Sequence, residues 1–214
     1  MLVSVSGACS RVGKTAAAVT LLQALPGGAA AAVKFTTTDD VFERCPRGTA
    51  CVVCDIDVPF RMIEDPGVLR QAGTDTDRLA GAGARRVIWT IAQTSAAASA
   101  WAALGQRLQG QDFVVMEGST IVERARPDLH VFVVHPFLSP ERWKPTSPWL
   151  IRHADLVVVN RPASERRAPA RSVLAEVERF RDGREIRVAD VTRPLAEWAP
   201  YLRGRLSESA PLSA

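Results

Sequence analysis

The sequence lacks several features that would place it in a specialised class of protein. No uncharged apolar run reaches the roughly 18 residues that a membrane-spanning helix needs, which argues against an integral membrane protein. The N-terminus has no basic segment, and its first apolar run, Leu2–Ser6, is too short for a signal peptide, so we expect a cytoplasmic location. Hydrophobic residues make up 47% and charged residues 23%, which is typical of a globular chain and not of a disordered one.

Lysine is scarce in this chain. Only Lys14, Lys34 and Lys144 occur, against 24 arginines. A lysine presents a compact ammonium, whereas arginine presents a planar fork of donors. In an arginine-rich sequence, the three lysines are therefore candidate positions where a point charge matters.

The net charge of +4 does not by itself indicate a nucleic-acid partner. The densest arginine group is Arg161, Arg166, Arg167 and Arg171, on or beside one predicted helix, and no aromatic residues are interleaved with it. A solvated helix face explains this pattern better than a nucleic-acid surface. The sequence therefore argues against nucleic acid and against a membrane as partners.

The strongest motif surrounds Lys14. The segment Gly7–Thr15 reads Gly-Ala-Cys-Ser-Arg-Val-Gly-Lys-Thr, after a short apolar run and before an alanine-rich stretch, Ala16–Leu25. This order predicts a strand, a phosphate loop and a helix, with Ala8 where the standard spacing has glycine. Backbone N–H groups of the loop can bind a polyphosphate, Lys14 can reach its outer phosphates, and the Thr15 hydroxyl can bind Mg²⁺. The predicted nucleotide-contacting residues of the loop are Gly7, Ser10, Arg11, Val12, Gly13, Lys14, Thr15 and Ala16.

Short apolar runs alternate with helical patterns along the chain. The predicted strands lie near 2–6, 31–35, 86–91, 113–116, 129–134, 156–160 and 185–189. The predicted helices lie near 14–25, 76–82, 96–108, 148–153, 164–181 and 195–202. Near-continuous apolar strands separated by helices predict an α/β fold with a doubly wound, mostly parallel sheet and helices on both faces.

One domain accounts for the whole pattern. We expect it to span residues 1–206, with residues 207–214 forming a frayed tail. The segment from Thr36 to Gly73 is rich in Asp, Pro, Gly and Cys and contains one short apolar run, at 51–53. It is predicted to be an insertion or flap over the carboxyl edge of the sheet.

A second acidic motif follows the strand predicted at 113–116. Glu117 and Gly118 come directly after it, where a carboxylate at the carboxyl end of a buried strand would face the phosphate loop. Such a residue can bind Mg²⁺ directly or through water. Thr15 and Glu117 are therefore the predicted magnesium residues.

The phosphate loop, Lys34 at the end of the second strand and the Glu117-Gly118 pair together resemble one branch of P-loop proteins. This branch includes the molybdopterin-guanine dinucleotide biosynthesis protein B (MobB) family and the dethiobiotin synthetases, and the chain is most similar to the MobB type. The resemblance implies that Glu117 serves Mg²⁺ and that Lys34 points toward the phosphates or the substrate. It implies catalytic roles for Lys14, Lys34 and Glu117.

Other polar residues are candidates for the same site. A second acid that positions Mg²⁺ or a water could come from Asp39, Asp40, Asp55 or Asp57, although each is also an ordinary loop acid. The segment Gly73–Asp77 could be an anion or substrate loop, or a helix start capped by Thr74. Asn160, at a strand end, resembles the first residue of a guanine-reading motif, and dethiobiotin synthetases hold adenine in this region, so ATP and GTP both stay open.

Three of the four cysteines, Cys45, Cys51 and Cys54, lie within ten residues. In a cytosolic protein this clustering indicates a metal or redox site rather than structural disulfides. Zinc or an iron–sulfur cluster would fit, with Cys9, a histidine or a second subunit supplying a fourth ligand. The alternative is three small buried thiols. Cys9 itself lies inside the phosphate loop at a helix N-terminus, where a thiol's pKa would fall; the alternative is a small residue tolerated in a loop.

The main functional hypothesis is a Mg²⁺-dependent NTPase, using GTP or ATP, that serves assembly of a cofactor or metal centre in the manner of MobB and molybdenum cofactor biosynthesis. The second is an ATP-dependent biosynthetic enzyme resembling dethiobiotin synthetase. The third is a nucleotide-gated, metal-carrying switch. Expected partners are the nucleotide and either a cofactor-assembly protein or a small-molecule substrate. A homodimer is also considered, since Trp143 and Trp149 lie in a proline-rich segment that could form an interface.

Overall fold

A computed structural model describes residues 1–25, 30–37, 56–183 and 185–193. Within these residues, eight strands form one sheet in the order β3-β4-β2-β5-β1-β6-β7-β8. Their bounds are β1 Leu2–Gly7, β2 Ala30–Thr37, β3 Phe60–Ile63, β4 Arg86–Ala92, β5 Phe113–Glu117, β6 Leu129–Val134, β7 Leu156–Asn160 and β8 Ile186–Ala189. All seven strands expected from apolar runs are present, which confirms the α/β class.

Neighbouring strands run parallel except at one edge. β3 pairs with β4 in the antiparallel direction, with Phe60 opposite Ala92 and Ile63 opposite Trp89. The sequence did not predict β3 because it has an arginine inside a four-residue run and lies within the segment interpreted as a flap. An edge strand needs only one buried face and one paired side, so it does not require the continuous apolar pattern of the central strands.

Helices cover both faces of the sheet. They are α1 Lys14–Ala24, α2 Pro66–Leu69, α3 Asp75–Gly81, α4 Ala97–Arg107, α5 Val122–Ala125, α6 Ser147–His153 and α7 Arg171–Arg181. The short helices α2 and α5 were not expected. The helix expected from Ser164 begins only at Arg171, because Pro169 cannot supply an N–H and disfavours helix at the residue before it. The helix predicted at 195–202 and the tail at 207–214 lie outside the described residues.

The alternation of side chains along the strands separates two cores. Val5, Ala32 and Val115 point to the face covered by α1 and α3, where they pack with Leu21 and Leu79. Strand residues at the intervening positions point to the opposite face, where they pack against α4, α6 and α7. The strand residues are Val33, Met116, Phe132 and Val157, and the helix residues are Leu104, Leu150 and Val177. Because the side-chain period of a strand is two, Lys34 and Glu117 fall on the α1 face.

The register between β2 and β5 places Lys34 and Glu117 side by side. Lys34 lies directly opposite Glu117, and Val5 of β1 lies opposite Glu117 on the other side. Side chains on adjacent parallel strands at the same register lie close enough to touch when they are long. The sheet therefore brings a lysine and a glutamate together at the carboxyl end of its centre, beside the start of α1.

No helix among the described residues is long and apolar enough to cross a membrane.

One buried polar pair lies on the other face of the sheet, away from α1. The Nε2 atom of His130 is 2.6 Å from the Ser6 hydroxyl, and His130 is 2% exposed. Burial lowers the pKa of His130 to about 4, although the nearby Asp155 carboxylate opposes this shift. The native state therefore holds this imidazole neutral.

We predict that this histidine makes the protein less stable in mild acid. Its unfolded-state pKa is about 6.5, so its contribution is complete above about pH 6.5 and is lost as the pH falls toward 4, at a cost of about 3 kcal/mol. Urea denaturation at pH 7 and pH 4.5 should show a smaller acid-induced loss in His130→Gln than in the wild type. The exposed His153→Gln is the control. An unchanged loss in His130→Gln would contradict the prediction.

Candidate nucleotide site

Residues 8–13 connect β1 to α1 in a tight loop. Gly13 has a φ of 107°, a left-handed conformation that L-residues with a side chain rarely adopt. A Cβ at this position would lie 2.4 Å from Nδ2 of Asn160. Glycine is required here for both reasons, and Lys14 then begins the helix as the motif predicts.

Two strand ends hold this loop in place. The Ala8 N–H donates to the carbonyl of Val133 at 3.1 Å, at the end of β6. At the other end of the loop, Nδ2 of Asn160 donates to the Val12 carbonyl at 2.9 Å, and Oδ1 of Asn160 accepts from the Val191 N–H at 3.3 Å. Asn160 thus joins the phosphate loop to the segment after β8. Its expected contact with a base stays a prediction.

Four side chains form a ring of close polar contacts behind the loop, which we call the Thr15 ring: Thr15, Asp75, Lys34 and Glu117. The Thr15 hydroxyl lies 2.7 Å from Oδ1 of Asp75 and 2.9 Å from Oε2 of Glu117. The Lys34 ammonium donates to Oδ2 of Asp75 at 2.7 Å and to Oε1 of Glu117 at 2.6 Å. Each carboxylate therefore contacts both the hydroxyl and the ammonium.

The ring is buried unevenly. Glu117 is 1% exposed and the Lys34 side chain is 16% exposed, whereas the Asp75 side chain is 43% exposed. Burial opposes the charge on Lys34, but the two carboxylates outweigh it and raise its pKa above the usual value. Burial likewise acts to raise the pKa of Asp75, and the attraction of Lys34 with the hydrogen bonds from Lys34 and Thr15 outweighs it, so that pKa is lowered. The Lys34 ammonium and the Asp75 carboxylate are therefore held in their ionised forms.

Asp75 is the site residue that the sequence did not single out, although it lies in the segment Gly73–Asp77, a candidate anion or substrate loop. It is the first residue of α3, and Thr74 caps this helix by accepting a hydrogen bond from the Asp77 N–H at 3.3 Å. The expected helix cap is therefore confirmed, and the residue next to it joins the site. An Asp in the first helical turn, close after Gly73, was the available signal, but its distance along the chain from the phosphate loop gave no reason to choose it.

The acids proposed from the sequence do not take this position in the described part of the chain. Asp57 is exposed and lies 3.6 Å from Arg61. Asp39, Asp40 and Asp55 lie outside the described residues. The second acid beside Glu117 is Asp75.

Lys14 points back along its own loop. Its ammonium donates to the carbonyl of Cys9 at 2.6 Å. Burial lowers the pKa of Lys14, Glu117 partly offsets this, and the positive charges of Lys34 and Lys144 lower it further. An ammonium that is destabilised by burial and by nearby positive charges is stabilised when an anion binds beside it. Lys14 is therefore suited to binding phosphate.

A lowered thiol pKa, one of the two interpretations of Cys9, is wrong. Burial raises the pKa of its thiol, and the charges of Lys14, Arg142 and Lys144 offset only part of this effect. The thiol donates to the Ser10 carbonyl at 3.2 Å. Because α1 begins only at Lys14, Cys9 lies in the loop before the helix, where desolvation of the thiol outweighs the nearby positive charges.

The donor set of the Thr15 ring fits Mg²⁺. One hydroxyl and two carboxylates are hard oxygen ligands, and Mg²⁺ is usually bound by one or two carboxylates together with waters and substrate phosphates. Among the described residues no group of three or more His, Cys, Asp or Glu could hold a metal ion. Cys45, Cys51 and Cys54 lie outside the described residues, and their expected role stays a prediction.

The remaining predicted loop residues occupy consistent places. Ser10 and Arg11 are exposed, Val12 is buried, and Gly7 and Ala16 flank the loop at the end of β1 and the start of α1.

A cavity of about 240 Å³ opens beyond Asn160, between the carboxyl ends of β7 and β8. Its polar lining includes Arg161, Glu165, Asp190 and Arg193.

Comparisons with known proteins identify the fold and no closer relationship. No family model matches the chain, and no curated protein matches it. Among solved structures, HypB from Helicobacter pylori in complex with nickel is similar, with a TM-score of 0.50 and 13% identity over 100% of this chain and 90% of that chain. At this identity the likeness supports the fold alone. The chain has the doubly wound α/β fold of P-loop NTPases, and the MobB and dethiobiotin synthetase branch is not confirmed.

We predict that Lys34→Met lowers the free energy of unfolding by about 3 kcal/mol, because it leaves the buried Glu117 carboxylate without its counter-ion. The double variant Lys34→Met/Glu117→Gln should recover part of this loss, since it removes both charges of the pair. Urea denaturation in EDTA measures both. If the double variant is no more stable than Lys34→Met, the ammonium does not serve as the counter-ion of Glu117.

Proposed function

We propose that this protein is a Mg²⁺-dependent nucleoside triphosphatase. The observation that carries the proposal is the contact of Thr15, the residue after the phosphate-loop lysine, with both Asp75 and Glu117. A phosphate loop alone predicts binding of an anion. A hydroxyl and two carboxylates at its helical end add a place for the metal that accompanies a nucleotide.

Each residue has a distinct role in this proposal. The loop amides and Gly13 bind the phosphates, and Lys14 moves from the Cys9 carbonyl to stabilise charge on the transferred phosphoryl group. Thr15, Asp75 and Glu117 would hold Mg²⁺, which neutralises phosphate charge when bound. Lys34 contacts both carboxylates and faces the same centre.

The base of the nucleotide would enter the cavity beyond Asn160. This cavity and the Thr15 ring lie on opposite sides of β1, since β7 and β8 follow β6 on one side of β1 and β5 and β2 lie on the other. A nucleotide lying across the loop would then have its base between β7 and β8 and its outer phosphates near Lys14. Both ATP and GTP satisfy this arrangement.

We further propose that nucleotide turnover serves assembly of a metal centre or cofactor. The support is the fold shared with HypB, whose structure contains nickel, together with the clustered cysteines of this chain. In this proposal the segment with Cys45, Cys51 and Cys54 carries the metal. The nucleotide state of the Thr15 ring would control its delivery to a partner protein.

The nucleotide proposal predicts different effects for two substitutions. Lys14→Ala should weaken binding of ATP and GTP about ten- to a hundredfold, because it removes charge-assisted hydrogen bonds to phosphate. Glu117→Gln should reduce Mg²⁺-dependent turnover about ten- to a hundredfold while changing nucleotide affinity less. Calorimetric titration and steady-state phosphate release measure the two quantities.

Arg124→Ala, an exposed change on α5, is the control for both variants. Unchanged binding of both nucleotides by a folded Lys14→Ala protein would contradict the phosphate-loop interpretation. Equal losses of affinity and turnover in Glu117→Gln would make Glu117 a structural acid.

The metal proposal predicts near-stoichiometric zinc or iron in protein purified without oxygen. Replacing Cys51 and Cys54 together by serine should remove this metal, because serine has no thiolate at neutral pH. Cys9→Ser should retain it, as Cys9 lies in the phosphate loop. Elemental analysis and absorbance spectra measure the content. Metal-free wild-type protein with full activity and reduced thiols would leave the cysteines as packing residues.

A further inference from the structure

The cavity between β7 and β8 contains two carboxylates that already accept hydrogen bonds from the protein. Oδ2 of Asp190 accepts from the Ala163 N–H at 2.7 Å, and Oδ1 accepts from the Thr192 N–H at 2.9 Å and the Thr192 hydroxyl at 2.6 Å. Oε1 of Glu165 accepts from the Arg167 N–H at 2.9 Å and from its guanidinium at 3.0 Å, and Oε2 accepts from the guanidinium at 2.7 Å. A carboxylate offers about four acceptor positions. These two acids therefore retain little capacity for a ligand.

Two arginines, Arg161 and Arg193, line the same cavity. Neither guanidinium makes a hydrogen bond or an ion pair with any residue in the described part of the chain. The hydrogen bonds from Arg167 are the main cause of the lowered pKa of Glu165, and the charge of Arg161 adds to them without contacting that carboxylate. Because a guanidinium has N–H donors and no acceptor, the unused hydrogen-bonding capacity of the cavity is mainly that of a donor.

Arg161 is the better placed of these two arginines. It directly follows Asn160 at the end of β7 and is half-buried, whereas Arg193 is exposed. Its backbone N–H donates to the Ala189 carbonyl at 2.8 Å, so only its side chain has to become ordered when a ligand binds. The Asn160 amide bonds backbone groups through both its nitrogen and its oxygen. Arg161 is therefore the residue at this strand end whose side chain is not already hydrogen-bonded.

A guanidinium donor distinguishes between the two purines. Guanine presents two acceptors side by side on one edge, O6 and N7, whereas adenine presents the N6 amino donor beside N7. An arginine can donate to both acceptors of guanine at once, but it meets another donor on the same edge of adenine. A cavity with unused donors and occupied acceptors therefore favours guanine over adenine.

We propose that Arg161 determines base specificity by donating to O6 and N7 of guanine, which makes GTP the preferred nucleotide. This inference rests on the proposed nucleotide function, which by itself is compatible with either purine. It assigns the discrimination to the O6 and N7 edge of the base. A carboxylate would instead read the N1 and 2-amino donors of guanine, and the two acids of this cavity already accept hydrogen bonds from the protein.

The test compares three diphosphates, which a triphosphatase does not consume. Calorimetry with Mg²⁺ measures Kd for GDP, for ADP and for IDP, whose base lacks the 2-amino group of guanine and keeps O6 and N7. The wild type should bind GDP at least about tenfold more tightly than ADP, as one bidentate contact of this kind provides. It should bind IDP within about threefold of GDP, because the edge that Arg161 reads is the same.

Arg161→Ala should reduce the preference for GDP over ADP to less than about twofold, through a weaker affinity for GDP and an unchanged affinity for ADP. Arg166→Ala is the matched control, because Arg166 is an exposed arginine of the same connection after β7 and does not line the cavity. It removes the same charge and should leave all three affinities unchanged. Thermal midpoints establish that both variants are folded.

Three results would overturn the inference. ADP binding as tightly as GDP in the wild type would show that the cavity does not select guanine. IDP binding as weakly as ADP would assign the selectivity to the 2-amino group and to a carboxylate. An unchanged preference in folded Arg161→Ala would exclude this residue. The first two measurements need no variant, so they decide the matter even if Arg161→Ala does not fold. A wild type that binds none of the three diphosphates would overturn the proposed nucleotide function itself.

Discussion

The pairing of Lys34 with Glu117 and Asp75 is the interaction on which the site depends. Glu117 is almost fully buried, and an ionised carboxylate in that position costs several kcal/mol unless an opposite charge accompanies it. Lys34 supplies that charge from the adjacent strand. Because the ammonium also contacts Asp75, the counter-ion of Glu117 on β5 is attached to the start of α3. Thr15 contacts both carboxylates and so connects them to the start of α1.

This arrangement gives the phosphate loop two kinds of support. Backbone and amide hydrogen bonds from β6 and β7 set its shape, through Val133 and Asn160. The Thr15 ring sets the charge at the helical end of the phosphate loop. The two supports use different residues on different strands, β6 and β7 for the first and β2 and β5 for the second. Such preorganisation lets binding energy act on the phosphates rather than on ordering the loop.

The central strands and the phosphate loop could be predicted because their signals are local. A strand buried on both faces needs a continuous apolar run, and a phosphate loop needs its glycine and lysine at fixed spacing. β3 gave no such signal, since an edge strand tolerates polar residues. The start of α7 was placed too early because an arginine-rich segment has high helix propensity, and Pro169 overrides that propensity at a single position.

The sequence by itself determined the α/β class, the identity of the loop residues and the candidacy of Lys34 and Glu117. Only the tertiary structure decided that Asp75 joins them and that Lys144 lies at the phosphate loop. The reason is that both residues reach the site through pairings distant in sequence: α3 approaches Thr15 across 60 positions, and Lys144 bonds to Ala8 from the far side of β6. Periodicity and spacing report neighbours along one element, whereas the register of a parallel sheet and the connections at its edge decide which elements meet.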